Sequence, residues 1–421
     1  MAGDAQLATP NFTLSLGLRY DYDTDGNNPD FTHPESPEQR SVDSDNYQPR
    51  LSFLWDIGGN GSSVLRGGGG IFTGRYLLVP SFVELQQNGV TGRTIYTNLN
   101  GALYWPLCPS LGITDPALCA AIFPALNPAD PQNTGILLDP NIALLESSLE
   151  APEATQASLG FTQKLGDTGL YLDLDGIWVE GDNEIIVRDF NWTGNATHTR
   201  PNTSYTQINT YTNEGRSEYK ALIASLNGTL KGGHLITASF TWADKKNISD
   251  DFSPALVDYP SDPADIEAEW GRSRADERYR FIVSGIFRLP WQITLAPIYE
   301  YGSGQPWNPR FGYDYNGDLK FSDREPGVEK YSEDGPDYSN FSLRITKSFR
   351  LGDAGSFDLI VEGFNLLDST NYDPNSIDAA KYRSGPTLTN PAAPYVDNPN
   401  YGNYLATLPP REIQLGLRFV F

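Results

Sequence analysis

The stretch EIQLGLRFVF, residues 412–421, decides how the rest of the sequence is interpreted. Every second residue from Ile413 to Phe421 is apolar, and the residues between them, from Glu412 to Arg418, are polar or glycine. Side chains of a β-strand point alternately to opposite faces, so this period of two predicts a strand with one apolar and one wet face. The closing strand of a soluble β-sandwich and the last strand of a transmembrane barrel both fit this pattern.

The same stretch carries a polar residue, a glycine and two aromatic residues at a recognisable spacing. Gln414, Gly416, Phe419 and Phe421 occupy these positions. The spacing resembles the signal with which bacterial outer-membrane barrels present their last strand to the barrel assembly machinery. We therefore predict that these four residues form an assembly signal, with a sandwich strand as the alternative.

Composition allows one large barrel or roughly two or three soluble domains. The chain contains 23 Tyr, 20 Phe and 8 Trp, and membrane barrels use aromatic residues in two interfacial girdles. No run of about 18 apolar residues occurs, but alternating barrel strands do not produce such a run. The net charge of −23 argues against a nucleic-acid partner, because phosphate binding needs a basic surface.

Alternating segments recur along the whole chain, and we count about twelve strands by their period. Long connections of roughly twenty residues or more alternate with short ones. The short connections are GGNGSS (58–63), LGDTG (165–169), KGG (231–233), LPW (289–291) and LGDAG (351–355). A soluble sandwich has no reason to keep its long loops at one end. The sequence therefore predicts an all-β fold, an antiparallel transmembrane β-barrel with short periplasmic turns and long extracellular loops.

We predict a single, partial β-barrel domain over residues 1–421, with residues 76–154 as a large extracellular loop insertion. That insertion is the longest segment without alternation, and a short helix is predicted near 116–121. It contains the two cysteines of the chain, Cys108 and Cys119. Their closeness in a Pro-containing loop predicts a disulfide, with two unrelated thiols as the alternative. The amino-terminus lacks the basic and apolar regions of a signal peptide, so we interpret the chain as a carboxy-terminal fragment.

Several segments, taken in order, resemble the TonB-dependent outer-membrane receptors, particularly their Oar-like branch. The segments are LSLGLRYDYDT (14–24), PRLSFLW (49–55), LRGGGGIFTGRY (65–76), GSGQPWNP (302–309), DYNGDLKFSDREPG (314–327), YSNFSLRITKSFRLG (338–352), VEGFNLLD (361–368) and PREIQLGLRFVF (410–421). Each motif is weak alone, and their shared order makes the resemblance specific. It covers nearly the whole chain.

The resemblance implies a Gram-negative outer-membrane protein that takes up a bulky ligand actively. Its expected partners are outer-membrane lipid, the barrel assembly machinery and the TonB complex, the last through a plug domain that this chain lacks. The family is expected to have twenty-two or more strands, so about twelve would form the carboxy-terminal half of its barrel. A passive porin or outer-membrane scaffold is the first alternative, and a secreted, soluble all-β glycan-binding protein is the second.

Oxygen-bearing side chains alternate in DYNGDLKFSD, residues 314–323. Asp314, Asn316, Asp318 and Asp323 resemble the start of a calcium-binding loop, although Gly317 falls early in that pattern. We predict calcium as a candidate ligand here, against the alternative of a solvated acidic loop. No other cofactor is expected.

No motif for catalysis is found, because the three histidines are scattered and no GxSxG, HExxH or phosphate-binding loop occurs. We therefore predict that the protein is not an enzyme. Aromatic residues in the long loops are candidates for stacking on a ligand, with loop packing as the alternative. These residues are Tyr104, Trp105, Trp192 and Trp307.

Overall fold

A large antiparallel sheet dominates the computed structural model, which describes residues 2–23, 26–75, 78–91, 141–194, 199–252, 258–352 and 355–421. The predicted helix near 116–121 lies outside these residues, and so do Cys108, Cys119, Tyr104 and Trp105. No helix in the described ranges is long and apolar enough to cross a membrane.

The sheet is a meander in which each long strand pairs with the next long strand along the chain. Its strands are β1 (Ala2–Ala8), β2 (Phe12–Tyr20), β3 (Tyr47–Asp56), β4 (Ser63–Thr73), β6 (Glu153–Lys164), β7 (Leu170–Asp189), β8 (Ile208–Leu230), β9 (His234–Asn247), β11 (Tyr279–Leu289), β12 (Ile293–Gly302), β15 (Tyr338–Arg350), β16 (Ser356–Phe364) and β19 (Glu412–Val420). All these pairings are antiparallel. Short turns therefore lie at one end of the sheet and long connections at the other, as predicted.

The continuous path has thirteen strands in the described part of the chain, one more than the predicted twelve. The additional strand is β1, whose Leu7 lies opposite Leu14 of β2. Alanine and glycine dominate β1 (AGDAQLA), so its alternation is too weak to be detected from the sequence. Among the described residues, β1 pairs only with β2 and β19 only with β16. The sheet therefore has two unpaired edges.

Smaller elements occupy the long connections. They are helix α1 (Leu78–Gln87), β5 (Ile142–Leu145), β10 (Gly271–Arg272), β13 (Pro306–Trp307), β14 (Glu333–Asp334), β17 (Tyr382–Ser384) and β18 (Val396–Asp397), with 3₁₀ turns at Ile266–Glu269 and Pro374–Ser376. A further 3₁₀ turn, Pro290–Gln292, forms the short connection between β11 and β12. Strand β5 pairs with β8 in parallel. The segment 76–154, predicted without regular structure apart from the helix near 116–121, thus contributes a helix and a strand.

One face of the sheet exposes a continuous layer of apolar side chains. Leu415 is 77% exposed and Leu417 is 70% exposed, although both lie in the interior of a regular strand. Their neighbours across the strand pair, Val361 and Leu359, share that face. Apolar side chains at this density are normally buried in a water-soluble protein, so this face requires an apolar environment.

The opposite face carries charged residues that pair across strands. Arg418 of β19 binds Asp358 of β16 at 2.5 Å. Arg66 of β4 makes a two-oxygen contact with Asp175 of β7 at 2.7 and 2.9 Å, passing over the intervening strand β6 at Gly160. A Cβ on Gly160 would lie 2.2 Å from the Asp175 carboxylate, so this glycine makes room for the ion pair.

Aromatic side chains group at both ends of the apolar face. At the short-turn end, the Phe357 ring lies 5.9 Å from Phe349 and 5.7 Å from Phe419. Trp291, in a short turn, is 80% exposed. At the other end, Tyr20 lies 4.8 Å from Tyr47. Two such bands are typical of the two interfaces of a membrane.

Candidate functional site: the loop cap and its acidic cluster

The long connections pack together into a unit that we call the loop cap, made of the described parts of 21–46, 78–91, 141–152, 190–207, 248–278, 303–337 and 365–411. Strands β7 and β8 have 20 and 23 residues, whereas about 9–11 residues suffice to cross a bilayer. Their ends therefore extend beyond the rest of the thirteen-strand sheet, which we call the wall, and form part of the cap.

The hydrophobic clusters of the described chain lie in this cap rather than in the wall. The largest combines residues of α1, β5, β7, β8 and the connection after β5, namely Val83, Ala143, Leu145, Leu149, Ile185, Val187 and Tyr211. A second cluster joins Ile186 to Ile248 and Ile266. Burial of these side chains stabilises a defined cap structure, so the long connections form a fixed surface above the wall.

Three carboxylates of the connection 303–337 converge in the cap. Asp314, Asp318 and Asp323 each place an oxygen within 4.8 Å of the oxygens of the other two. Asp318 is fully buried, and Asp323 is only 2% exposed. The structure therefore brings together three of the four predicted ligands, and Asn316, also buried, lies in the same turn.

Backbone N–H groups hold the acidic side chains in a tight loop. Asp314 accepts from the N–H groups of Gly317 at 2.7 Å and Leu319 at 3.0 Å. Asp318 Oδ1 accepts from Lys320 N–H at 2.7 Å, and Asp323 Oδ2 accepts from Tyr315 N–H at 2.9 Å. The local spacing of residues thus folds the loop onto its own carboxylates.

Leu319 has a φ of +73°, which is a strained conformation for a bulky residue. It is the sixth residue counted from Asp314, the position where calcium loops of the EF-hand type have an invariant glycine at their sharp turn. Glu325, at the twelfth position, instead binds Lys381 Nζ at 2.8 Å. The loop therefore shares the sharp turn of such sites but takes its last carboxylate from Asp323.

Burial strongly affects the protonation of two of these groups. Burial, followed by the charge of Asp314, raises the pKa of Asp318 to about 6. Burial, followed by the charges of Asp318 and Asp314, raises the pKa of Asp323 to about 8. Among the described residues, none of the three carboxylates forms an ion pair, although the nearby Asp189, Glu269 and Glu325 do.

Three other connections contact the acidic loop. The Asp318 carbonyl accepts from Arg200 and from Gln207, both at 2.9 Å. Asn316 Nδ2 donates to the Ser261 carbonyl at 2.9 Å, and Leu388 N–H donates to the Tyr315 carbonyl at 3.1 Å. Sequence reasoning missed these contacts because no local signal marks residues that lie 55 to 118 positions away.

The structure places the two described aromatic candidates differently. Trp192 is only 5% exposed, donates its indole N–H to Asp262 at 3.2 Å and packs against the Arg200 guanidinium. This placement corresponds to loop packing, the alternative to ligand stacking. Trp307 is half-buried and lies edge-on to Tyr401 at 5.6 Å, so it stays a ligand candidate.

The four residues of the predicted assembly signal lie at the free edge of the sheet. Phe419 is 62% exposed in β19, and Phe421, just beyond the strand, is fully exposed. Gln414 and Gly416 face the polar side, opposite Glu362 and Ile360 of β16. The signal therefore stands on an accessible strand edge, and its recognition stays a prediction.

A family model described as an outer membrane beta barrel domain matches residues 2–329 of the chain. A search of curated proteins found no match.

Solved structures of outer-membrane transporters are similar in fold. The outer membrane transporter YddB from Escherichia coli has a TM-score of 0.55 at 13% identity, over 98% of this chain and 43% of that one. A mutant of the ferric enterobactin receptor PfeA from Pseudomonas aeruginosa, in complex with enterobactin, has a TM-score of 0.52 at 14% identity, over 97% and 43%. The FrpB iron transporter from Neisseria meningitidis has a TM-score of 0.50 at 11% identity, over 98% and 44%. The chain thus spans less than half the length of these structures.

Proposed function

This chain belongs to the outer membrane beta barrel domain family, and we propose that it forms the carboxy-terminal barrel part of a TonB-dependent receptor for a bulky ligand. It is a protein of the Gram-negative outer membrane, and its sheet is the wall of an antiparallel barrel. Active uptake, the TonB complex as partner and membership of the Oar-like branch belong to the proposal. No enzymatic activity is assigned to it.

The separation of faces on the sheet is the observation that carries the proposal. The apolar face, with Leu415 and Leu417 largely exposed, suits contact with lipid. The other face, with pairs such as Arg418–Asp358, suits a wet lumen. A barrel lets both faces keep these environments at once, which a water-soluble sandwich does not.

The two unpaired edges support a larger barrel than these thirteen strands. In lipid, unpaired backbone N–H and C=O groups are strongly unfavourable. We propose that further strands pair with β1 and β19, in keeping with the greater length of the similar structures. A plug inside such a barrel would contact the polar face and supply the link to TonB.

The loop cap supports ligand binding at the outer surface. Its buried clusters hold the long connections in a fixed arrangement, and binding residues are commonly found on loops that a rigid scaffold positions. Trp307 offers a partly accessible ring in this cap.

Orientation in the membrane is tested by two matched insertions of a specific protease site. Gly327 in the loop cap and Gly59 in a short turn both have positive φ, and a Cβ added at either position would meet open space. We expect protease added to intact cells to cut the Gly327 insertion, and to cut the Gly59 insertion only after the outer membrane is permeabilised. Cleavage of both, or of Gly59 alone, in intact cells would contradict the proposed orientation.

Active uptake is tested with the complete gene product in cells with and without functional TonB. Ferric siderophores are the first probes, because similar structures are described as a ferric enterobactin receptor and an iron transporter. We expect accumulation of a bound siderophore only in cells with TonB. Equal accumulation in both strains would identify a passive pore and refute the proposal.

A further inference from the structure

We propose that Asp314, Asp318 and Asp323 form a calcium site that holds the connection 303–337 against its neighbours in the loop cap. The proposal concerns the stability of the cap and does not depend on which ligand the barrel takes up or on TonB.

Geometry is the first argument. An oxygen ligand of calcium lies about 2.3–2.6 Å from the ion, so two ligands of one ion are separated by at most about 5 Å. The three carboxylates offer oxygens within 4.8 Å of one another. The three oxygens are therefore close enough for one ion to lie among them and contact all three residues.

An unsatisfied buried atom is the second, independent argument. Asp318 is fully buried, and within the described residues no donor reaches its Oδ2. Its other oxygen, Oδ1, accepts from Lys320 N–H at 2.7 Å. A buried carboxylate oxygen without a partner is strongly unfavourable, and a cation in the cluster would satisfy it.

The lack of direct ion pairs at the cluster points in the same direction. Other buried acidic groups of the cap have a basic partner, such as Glu269, which binds Arg324 through two oxygens at 2.7 and 2.9 Å. In the described ranges none of the three clustered carboxylates forms an ion pair. The nearby Lys320 ammonium, whose charge acts on Asp318, donates to Gln207 Oε1 at 3.2 Å instead. Three carboxylates at this separation repel one another when all are ionised, and a divalent cation removes that repulsion.

The donor set favours calcium over other metals. All three side chains offer hard oxygen atoms, whereas zinc sites in proteins are built largely from histidine and cysteine. Calcium accepts six to eight oxygen ligands in irregular geometry, so backbone carbonyls and water can complete its shell. Magnesium requires a near-ideal octahedron at shorter distances, which a loop with three converging carboxylates suits less well.

The contacts of the loop indicate what the ion would stabilise. The Asp318 carbonyl is bound by Arg200 and Gln207, and Asn316 is bound to Ser261. Fixing the loop therefore also fixes its contacts with the connections 190–207 and 248–278. Bound calcium would therefore stabilise contacts between parts of the chain that lie far apart in sequence.

The test uses the complete gene product that contains this chain, extracted from outer membranes in detergent, with calcium removed by a chelator and then restored. We expect calcium at about 100 times its dissociation constant to raise the unfolding temperature of the cap by at least about 3 °C. Magnesium at the same concentration should raise it by less than a third of that. The absence of a calcium response, or an equal magnesium response, would overturn the assignment.

Two matched variants locate the effect. Asp318→Asn keeps the Oδ1 acceptor for Lys320 N–H and removes the buried charge, so it should fold at least as well as the parent without calcium and lose the calcium response. Glu329→Gln removes one exposed charge from the same connection and should keep the response. A retained response in Asp318→Asn would refute the proposed ligands.

Terbium luminescence gives a readout that does not depend on thermal unfolding. Tyr315 lies in the loop, and a Cβ on Gly317 would be 3.8 Å from the Trp192 ring, so a terbium ion in the cluster would be sensitised by nearby aromatic side chains. We expect emission that calcium displaces in the parent chain and that falls at least tenfold in Asp318→Asn. Emission of equal strength in both proteins would contradict the site.

Discussion

The buried ion pair between Arg40 and Glu84 should be a sensitive point of the loop cap. The two side chains are 1% and 0% exposed, and the guanidinium binds both carboxylate oxygens. Glu84 also accepts from Leu145 N–H at 2.9 Å. One carboxylate thus joins the connection 21–46, helix α1 and strand β5.

Glu84→Gln is the perturbation that isolates this role. Glutamine has one acceptor oxygen, so Arg40 and Leu145 N–H would compete for it. The new side-chain NH₂ group is itself a donor and would face one of these two donors without an acceptor between them. Removing one partner of a buried ion pair lowers the free energy of unfolding by about 3–5 kcal/mol. At the lower limit, about 3 kcal/mol, the fraction of molecules with an open cap should rise about a hundredfold.

Hydrogen exchange measured by mass spectrometry in detergent reports this opening at the amides of Leu145 and of α1. We expect exchange in Glu84→Gln about a hundredfold faster than in the parent. Glu267→Gln is the control, because Glu267 pairs with Arg216 while both are largely exposed, and such pairs contribute about 0–1 kcal/mol. Equal exchange in the two variants would refute the reasoning.

Two further predictions concern the wall and the pH dependence of the cap. Leu415→Arg on the apolar face should destabilise the folded wall by about 2–4 kcal/mol, whereas Gln414→Arg on the polar face should change stability by less than about 1 kcal/mol. Urea-dependent folding into lipid vesicles measures both, and equal losses would contradict the assignment of faces. Burial raises the pKa of Glu146 above that of an ordinary glutamate. Between the pKa of the unfolded chain and that of the folded cap, the folded cap therefore keeps a proton that the unfolded chain releases. The stability of the cap should fall as pH rises through this range. Hydrogen exchange of the Leu149 amide, measured against pH, reports this stability. Glu146→Gln should remove this part of the pH dependence, and an unchanged pH dependence would contradict the role of Glu146.

The arrangement of the wall was predictable from local pattern. Strict alternation in β19 determines which side chains share a face, because successive residues of a strand point in opposite directions. The alternation of short and long connections then determines which end of the sheet carries the loops. The weakly patterned β1 was missed, since its alanine and glycine side chains differ too little in polarity.

The acidic cluster was partly predictable. The spacing of Asp314, Asp318 and Asp323 within one loop allows their carboxylates to converge, and the structure brings them together. Their burial was not predictable, because it depends on contacts from Arg200, Gln207 and other distant residues of the cap.

Tertiary structure also decided the roles of residues whose sequence context is unremarkable. Trp192 looked accessible in a polar stretch, yet it is buried against Arg200 and Asp262. Helix α1 places Glu84 in contact with Arg40, which lies 44 positions earlier in another connection. The sequence by itself determined the wall strands other than β1, their faces and the side of the loops, because these follow from local periodicity. Only the tertiary structure decided which loop residues are buried and paired, because their partners come from distant connections that meet above the wall.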